Sequence, residues 1–495
     1  MLYHRINMNS LSHNFRIDAS INLTRKSRAF SAVRACVVGT GPSGFYTAKY
    51  LLKKKPEIKI DMIERLPTPF GLVRAGVAPD HPEVKSVQND FEKVMEDPRI
   101  EYFGGIHVGE DVSVEDLKKC YHFLVFANGA EGDCKMGIPG EEELHGIHAA
   151  RDFVHWYNGH PDFQGLTDQL EMKSVKHVAI IGQGNVALDC ARILCKGKLG
   201  LLGETDITSV SETMLAESSL QSVLVAGRRG HIQAKWTIKE LRELSKIDGV
   251  DFGVRLSELA LGTTPATLTE LADARPKKRI NNLLQSITWQ SPPPSKLTCE
   301  ARFLLQPVKA VPHSEDPTRI GSLVLERTHL EGNPGHLKAT GTGVFEEIPC
   351  DMVLRSIGYK PTPIKGIPFN HRKSVINNLA GRILALESNK QIPGMYCVGW
   401  AKRGPTGIIG SNIIDAKETV ACIVSDFEHH VSERQTEVVN EGILDLLQHR
   451  NKDFISWDEY KFLDAAEQNE GSLKPRDKIT SVQLMKEIIN KNRLL

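Results

Sequence analysis

The sequence predicts an α/β protein with two similar units, each a parallel sheet flanked by helices. Two observations support this fold class. A short apolar run, a glycine-rich loop and a helical segment follow one another near residue 35, and the same succession returns near residue 178. With 495 residues the chain is long enough for two such units. We therefore expect two Rossmann-like domains, and no other internal repeat is evident.

The first unit begins with the apolar run Ala35–Val38, which reads as a buried parallel strand. Its loop places glycines at 39, 41 and 44, and Glu64 closes the next predicted strand 20 residues after Gly44. In this fingerprint Gly39 permits the tight turn, Gly41 lets the backbone approach a diphosphate, and Gly44 lets helix and strand pack closely. The complete pattern predicts a dinucleotide site, whereas a glycine turn in an unrelated fold is the alternative.

The acid at the end of that second strand predicts which dinucleotide binds. Glu64 can accept hydrogen bonds from a ribose 2′-hydroxyl, but its charge repels a 2′-phosphate. The first site therefore suits FAD or NAD rather than NADP.

The second unit repeats the pattern with different chemistry at its strand end. The strand Val178–Ile181 leads into Gly182-Gln-Gly184-Asn-Val-Ala187, with the alanine that the fingerprint allows at its third position. The later strand Ser222–Ala226 ends in Gly227-Arg228-Arg229-Gly230. Two guanidinium groups can hold a phosphate by paired hydrogen bonds, so this unit is predicted to bind NADP(H). An exposed basic turn is the alternative.

Two such sites in one chain imply a flavoprotein in which a hydride passes from NADPH to FAD. Disulfide reductases of this kind need a cysteine pair beside the first loop, and no pair occurs there. Cys190 and Cys195 lie instead on the helix of the second unit, about 140° apart, where packing is their expected role. Electrons are therefore expected to leave the flavin directly.

The charge of the whole chain hides an uneven distribution. Its formal net charge of +1 argues against a nucleic-acid-binding protein. Residues 1–34 hold six of the 62 basic residues and only one of the 61 acidic ones, which leaves the rest near −4. An arginine-rich, serine-containing and acid-poor start is typical of an organelle transit peptide. We expect a mitochondrial leader at 1–31, with Arg28-Ala-Phe-Ser31 resembling a processing site; a plain N-terminal tail is the alternative.

Basic residues also cluster within the second unit. Lys235, Lys239 and Arg242 are spaced as on one face of a helix, and Arg275-Pro-Lys-Lys-Arg279 adds a dense group. Such clusters favour an acidic protein partner drawn in by electrostatic steering. An ordinary solvated helix face is the alternative.

Several long motifs make the chain similar to one family. They are Val38–Ala48, Pro69–Arg74, Gly76–Lys85, Phe153–Gly159, Gly182–Asp189, Gly227–Gly230, Thr237–Glu243 and Lys402–Gly407. From about residue 33 to its C-terminus the chain resembles the mitochondrial NADPH:adrenodoxin (ferredoxin) oxidoreductases. These are glutathione-reductase-like flavoproteins with an FAD domain and an NADP domain.

The resemblance implies roles for particular residues. FAD would be held by Gly39, Gly41, Ser43, Gly44, Glu64, Leu72, Val108, Trp400, Gly407, Ile408 and Ile409. NADPH would be held by Gln183, Gly184, Asn185, Val186, Arg228, Arg229, Glu240 and Gly407. His81 and Asp189 match a His–Asp pair near the flavin, which suggests a proton relay or a gate between the domains. A structural role in its loop is the alternative for His81.

The resemblance also implies a partner, a location and a domain order. Arg242, Arg275 and Arg279 match cations that dock an acidic [2Fe–2S] ferredoxin. The location would be the mitochondrial matrix, with peripheral association at the inner membrane. Residues 32–132 and 359–495 would form the FAD domain and residues 133–358 the NADP domain. No resident metal site is expected.

The function expected from the resemblance is electron transfer from NADPH to a mitochondrial [2Fe–2S] ferredoxin, one electron at a time. One alternative is a flavoprotein subunit of a larger complex, of the glutamate-synthase small-subunit type. Such subunits usually carry an N-terminal array of cluster-binding cysteines, which this sequence lacks. The other alternative is a flavin-bound redox sensor without enzymatic activity, against which both glycine loops, Arg228 and Arg229 argue.

Overall fold

The structure is a computed structural model that describes residues 33–272, 274–290, 297–434, 442–468 and 473–493. The predicted leader at 1–31 lies outside these ranges. So does Ser291-Pro-Pro-Pro-Ser295, whose run of prolines predicts a surface loop. No helix within them is both long and apolar enough to span a bilayer.

The strands and helices of the described residues occur in the following order. The strands are β1 Arg34–Val38, β2 Lys59–Glu64, β3 Ile100–Gly104, β4 Phe123–Phe126, β5 Gly132–Asp133, β6 Ile147–Ala149, β7 His177–Ile181, β8 Ser222–Gly227, β9 Asp251–Arg255, β10 Thr288–Trp289, β11 Thr298–Phe303, β12 Leu305–Pro312, β13 Ile320–Glu331, β14 Lys338–Pro349, β15 Met352–Arg355, β16 Tyr359–Lys360, β17 Phe369–Asn370, β18 Val375–Ile376, β19 Asn378–Leu379, β20 Arg382–Leu384 and β21 Gln391–Cys397. The α-helices are α1 Pro42–Lys54, α2 Leu72–Ala75, α3 Pro82–Lys85, α4 Val87–Met95, α5 Val114–Cys120, α6 Ala150–Tyr157, α7 Thr167–Leu170, α8 Asn185–Lys198, α9 Ser209–Ala216, α10 Ile238–Leu244, α11 Leu256–Gly262, α12 Pro265–Ala272, α13 Arg275–Ser286, α14 Trp400–Arg403, α15 Ser411–Arg434, α16 Ile443–His449, α17 Trp457–Glu467 and α18 Val482–Arg493. Two 3-10 helices lie at Pro161–Leu166 and His231–Gln233.

The first sheet has seven strands among the described residues, in the order β19-β20-β21-β4-β1-β2-β3. The strands from β21 to β3 are parallel, while β20 and β19 add an antiparallel edge. Helices α1, α15, α17 and α18 bury apolar residues in the same core as β1 and β2. We call this sheet and its helices the first lobe.

The second sheet also has seven strands within the described ranges, and all of them are parallel. Their order is β10-β9-β11-β8-β7-β15-β6. Parallel neighbours require long crossovers, and α8 lies in the crossover that joins β7 to its neighbour β8. Cys190 and Cys195 of α8 are fully buried in this core, in keeping with the expected packing role. We call this sheet and its helices the second lobe.

The polypeptide passes from the first lobe to the second and back again at one place. Strands β5 and β16 pair there in antiparallel fashion, with Tyr359 opposite Asp133 and Lys360 opposite Gly132. Arg355 stands beside this crossing and binds Asp133 at 2.8 Å and Glu141 at 3.0 Å. The two predicted domain boundaries fall at the same crossing.

An antiparallel three-stranded sheet, β12-β13-β14, extends the second lobe and has no counterpart in the sequence prediction. Leu323 and Leu325 of β13 are fully buried against Ile181 and Ala226 of the parallel sheet. Burial of these leucines covers one face of the parallel sheet, as a two-sided parallel sheet requires. The dinucleotide pattern says nothing about this segment, because its strands lie outside the repeated unit.

Candidate active site

A cavity of about 880 Å³ lies where the carboxyl ends of strands from both sheets meet. This edge is where ligands bind in open α/β sheets. The predicted site residues that line it are Gly39, Gly41, Ser43, Glu64, Leu72, His81, Val108, Asn185, Val186, Asp189, Glu240, Trp400, Gly407, Ile408 and Ile409. The tertiary structure thus brings the first glycine loop to one cavity with Asn185 and Val186, which directly follow Gly184 of the second loop; Gln183 and Gly184 do not line it.

The first glycine loop has the geometry that its three glycines predict. Gly39 has φ +101°, and a Cβ there would lie 2.7 Å from the carbonyl oxygen of Ala127. A Cβ on Gly44 would lie 2.1 Å from the Gly39 oxygen, so that glycine serves the contact between helix and strand and not the cavity. A Cβ on Gly41 would meet nothing within 4 Å. The side of Gly41 that faces the cavity is therefore open to a close ligand.

Helix α1 starts directly behind this loop. Its N-cap residue is Gly41, which offers no side-chain cap, and Pro42 occupies the first turn. The uncapped amides and the positive end of the helix dipole attract a diphosphate. A 13-residue helix with an open glycine cradle in front of it fits the diphosphate of a dinucleotide.

Glu64 is fixed at the end of β2 by three hydrogen bonds. Its Oε2 accepts from the backbone nitrogen of Thr40 at 3.0 Å and from the Thr40 hydroxyl at 2.6 Å, while its Oε1 accepts from the nitrogen of Leu66 at 3.1 Å. A carboxylate can accept about four hydrogen bonds, so one acceptor position remains on Oε1. That position suits a ribose hydroxyl, and the negative charge disfavours a phosphate.

The second glycine loop repeats the arrangement at the end of β7. Gly182 has φ +145°, and a Cβ there would lie 2.1 Å from the oxygen of Ser356, whereas one on Gly184 would meet nothing within 4 Å. Helix α8 begins at Asn185 with Gly184 as an N-cap that lacks a side chain. Gln183 points away from the cavity, since its amide donates to the oxygen of Arg302 at 3.3 Å.

Arg228 and Arg229 follow β8, outside the residues that line the cavity. Their backbone oxygens are held, because Arg228 accepts from the Thr328 hydroxyl at 2.7 Å and Arg229 accepts from the nitrogen of Leu304 at 3.1 Å. Arg228 is exposed and Arg229 half-buried, and neither guanidinium has an ion-pair partner among the described residues. Both are thus available to an anion beside the second loop.

Three buried polar atoms on residues of the cavity wall have no hydrogen-bond partner in the described part of the chain. They are Asn128 Oδ1, Arg151 Nε and Glu240 Oε2. Buried polar groups are nearly always satisfied, and these three atoms can form hydrogen bonds with a group bound in the cavity. The sequence interpretation included Glu240 but missed Asn128 and Arg151. The position of Asn128 directly after the apolar residues 124–127 was a usable signal for it.

The chain has similar proteins of known name over most of its length. A family model described as pyridine nucleotide-disulphide oxidoreductase matches residues 33–221. The mitochondrial NADPH:adrenodoxin oxidoreductase of Arabidopsis thaliana is 41% identical over 470 residues, which cover 92% of this chain and 96% of the relative. The human protein of that name is 40% identical over 468 residues, covering 91% and 90%. FprA of Mycobacterium tuberculosis in complex with NADPH has a TM-score of 0.84 at 36% identity, covering 93% of this chain and 100% of FprA.

The chain belongs to the NADPH:adrenodoxin oxidoreductase family. It is an oxidoreductase whose cofactors are FAD and NADPH. The predicted fold class, with two dinucleotide-binding domains, is confirmed by the family model and by the structural match.

The predicted His–Asp pair of the family does not form a direct hydrogen bond in this chain. His81 Nε2 lies 2.7 Å from Glu243 Oε2, while Asp189 Oδ1 pairs with Arg192 Nη1 at 2.7 Å. Arg192 Nη1 also lies 4.0 Å from Glu243 Oε2, so Glu243 and Arg192 connect the two side chains. Burial raises the pKa of Asp189, although Arg192 partly opposes the shift. Glu243, which the sequence interpretation gave no role, is therefore the residue that joins His81 to the second lobe.

His81 belongs to a short charged segment of the first lobe that contacts helices of the second lobe. Asp80 binds Arg192 and Lys196 of α8, with its Oδ2 2.8 Å from each nitrogen. Glu83 pairs with Lys239 of α10 at 2.5 Å. We call Asp80–Lys85 the seam, because its charged side chains reach across from the first lobe to the second. No local pattern could have predicted these partners, which lie more than 100 residues away in the sequence.

The prediction that Lys235, Lys239 and Arg242 share a helix face is wrong for Lys235. Helix α10 begins only at Ile238. The nitrogen of Lys235 donates to the oxygen of Gln183 at 2.8 Å, and the nitrogen of Thr237 donates to Asn185 Oδ1 at 2.9 Å. These contacts with the second glycine loop hold the chain extended before the helix, which a spacing rule for helices cannot anticipate.

The predicted docking arginines are on the surface of the second lobe. Arg242 is exposed on α10, and Arg275 and Arg279 are exposed on α13, which packs beside α10. Helix α10 therefore contributes Glu240 to the cavity wall, Glu243 to the seam and Arg242 to the exposed face. A partner docked on this face would contact the helix that borders the cavity.

Proposed function

We propose that the protein transfers electrons from NADPH, through FAD, to a mitochondrial [2Fe–2S] ferredoxin, one electron at a time. The observation that carries the proposal is a single cavity faced by two uncapped glycine-loop helices, with Glu64 beside one loop and free arginines beside the other. Family membership supports a ferredoxin as the acceptor, since FprA is named an NADPH-ferredoxin reductase.

The cofactor assignments follow from the same geometry. We assign FAD to the first loop with Gly39, Gly41, Ser43, Gly44, Glu64, Leu72, Val108, Trp400, Gly407, Ile408 and Ile409. We assign NADPH to the second with Gln183, Gly184, Asn185, Val186, Arg228, Arg229, Glu240 and Gly407. We propose domains at 32–132 and 359–495 for FAD and at 133–358 for NADP, a division that the pairing of β5 with β16 supports.

The residues of the chain bind and orient, while the redox chemistry is that of the cofactors. FAD, when bound, would supply an acceptor for the hydride of NADPH and a donor of single electrons to the ferredoxin. Asp189 lines the cavity and is held by Arg192 at 2.7 Å, so we assign it, together with His81, to the proton relay or gate that the family pair implies. His81 binds Glu243 of α10, and through this bond it keeps the NADPH-binding helix against the first lobe.

The test of this function is a coupled assay with purified holoenzyme. NADPH-dependent reduction of cytochrome c is expected to be slow alone and to rise on addition of a [2Fe–2S] ferredoxin. If no [2Fe–2S] ferredoxin were reduced with NADPH, the proposal would fail. Reduction that needs a second protein subunit would favour the glutamate-synthase type, and absence of any NADPH oxidation would favour a sensor.

We propose that the acidic ferredoxin docks on Arg242, Arg275 and Arg279. The variant R275E/R279E is expected to raise the KM for ferredoxin by at least about tenfold at low salt, because reversed charges oppose electrostatic steering. The effect should shrink as salt screens the charges. NADPH–ferricyanide activity should stay unchanged, because ferricyanide needs no docking face.

A matched control for this variant is R372E/K373E. It reverses two exposed charges of the first lobe, in the turn between β17 and β18. This control should leave the KM for ferredoxin unchanged. A parallel loss of ferricyanide activity in R275E/R279E, or an equal loss in the control, would contradict the docking assignment.

We propose that the protein is imported into the mitochondrial matrix and associates peripherally with the inner membrane. The mitochondrial names of its relatives and the composition of residues 1–34 support this location. The mature chain is expected to begin at Ser31, after cleavage behind Phe30. Mass spectrometry of the N-terminal peptide from isolated mitochondria checks this expectation, and an intact Met1 there would refute it.

A further inference from the structure

A short C-terminal segment contacts both lobes near Lys85, the last residue of the seam. We call Lys474–Lys478 the strap. It lies between α17, which packs on the first sheet, and α18. It belongs to none of the motifs that define the glycine loops, and no predicted site residue lies in it.

The side chains of Lys474 and Asp477 bind the strap to the second lobe. Lys474 pairs with Glu212 of α9 at 2.5 Å and donates to the oxygen of Ile207 at 3.1 Å. Asp477 accepts from the Ser209 hydroxyl at 2.7 Å. These contacts hold the start of α9 and the loop that precedes it.

The strap is bound to the first lobe through Glu467, the last residue of α17. The nitrogen of Asp477 donates to the oxygen of Glu467 at 2.8 Å, and Arg476 pairs with Glu467 at 3.3 Å. Glu467 also accepts from Arg74 at 2.9 Å, and Arg74 lines the cofactor cavity. The strap is therefore connected to the cavity wall by one buried carboxylate.

Lys478 enters a buried cluster with Asp206 of the second lobe and Lys85 of the seam. Lys85 Nζ lies 2.6 Å from Asp206 Oδ1, and Lys478 Nζ lies 2.8 Å from Asp206 Oδ2 and 2.9 Å from its backbone oxygen. All three residues are less than 10% exposed. Burial alone would raise the pKa of Asp206, but Lys478 and Lys85 lower it to about 2. One carboxylate thus holds the side-chain nitrogens of two lysines from outside the second lobe.

We propose that the strap fixes the angle between the two lobes and that Asp206 is a positioning residue for hydride transfer. This inference rests on the proposed function, because it assumes that NADPH on the second lobe must meet FAD on the first. Transfer requires the two rings in near-attack geometry, and a displacement of 1 Å can cost about 100-fold in rate. Asp206, Lys85 and Lys478 touch neither cavity nor substrate and act through the orientation of the lobes.

The experiment uses the full-length holoenzyme and two variants. Asp206→Asn removes the shared anion but leaves two buried lysines, so it tests the cluster directly. The triple variant K474M/D477A/K478M releases the strap side chains from the second lobe and leaves Lys85 and Asp206 as a balanced pair. Amide hydrogen exchange of residues 206–212 reports on the strap, and single-turnover reduction of FAD by NADPH reports on positioning.

The triple variant is expected to speed exchange at 206–212 and to slow flavin reduction by about tenfold. The dissociation constant of NADPH should stay within about twofold, since misplacement affects the transfer step and not the binding contacts.

The matched control for Asp206→Asn is Asp426→Asn. Asp426 pairs with Arg382 inside the first lobe. Burial alone would raise the pKa of Asp426, but Arg382 lowers it to about 2, as the lysines do for Asp206. This control should leave the reduction rate unchanged.

Three outcomes would overturn the proposal. Unchanged exchange would mean that the contacts do not hold the strap. Faster exchange with an unchanged rate of flavin reduction would mean that the strap does not position the lobes. A loss of NADPH affinity as large as the loss of reduction rate would mean that the strap acts on NADPH binding and not on the transfer step. If the unmodified protein were not reduced by NADPH at all, the proposed function would fail, and the exchange result alone would decide whether the strap holds the lobes.

Discussion

The variant R228A/R229A is expected to lose about 100-fold in kcat/KM for NADPH while kcat/KM for NADH changes little. Hydrogen bonds to a charged group are worth about 1.5–3 kcal/mol each, and 1.4 kcal/mol corresponds to a factor of about ten. We take the lower end of that range for two guanidinium groups, because Arg228 is exposed to solvent. NADH has no 2′-phosphate, so it makes none of these contacts.

The fold should tolerate the change. Arg228 and Arg229 hold their loop through backbone oxygens, which alanine keeps, and their side chains pair with no acid among the described residues. Ferricyanide reduction with each nucleotide gives the two values of kcat/KM. R242A is the matched control, since it removes another exposed arginine of the second lobe without a role at the nucleotide. Equal losses with NADPH and NADH would contradict the phosphate role.

Asp80→Asn is expected to lower the free energy of unfolding by about 3–5 kcal/mol, the usual cost of removing one partner of a buried ion pair. Arg192 is fully buried, and Asp80 contacts it twice, at 2.8 and 3.0 Å. An asparagine cannot accept both of these bonds and carries no charge. Arg192 would keep its hydrogen bond to Asp189 and the more distant Glu243 at 4.0 Å, and Lys196 would lose Asp80.

Urea denaturation of the FAD-loaded protein at fixed cofactor concentration measures this loss. Asp90→Asn is the matched control, because Asp90 pairs with Lys93 on an exposed face of α4. Such surface pairs contribute less than about 1 kcal/mol. If Asp80→Asn cost no more than Asp90→Asn, the buried pair would not be what joins the seam to α8.

The side-chain contacts between the two lobes are what the structure shows and the sequence did not predict. The sequence interpretation placed His81 with Asp189, whereas its bonded partner is Glu243, 162 positions away. Lys478 of the strap and its partner Asp206 lie 272 positions apart in the sequence. No sequence motif near either residue indicates that they meet. Ion pairs of this kind depend on how two folded surfaces meet, and residue spacing carries no information about that.

The sequence by itself determined the two dinucleotide units. It placed β1, β7 and β8 to within one residue at each end, and it predicted the geometry that Gly39, Gly41 and Gly44 have. These features are local, because a tight turn, an open backbone and an apolar strand are each set by a few neighbouring residues. Only the tertiary structure decided that both loops face one cavity, that Lys235 precedes its helix, and that the seam and the strap join the lobes. Those arrangements depend on packing between distant segments, which no local pattern encodes.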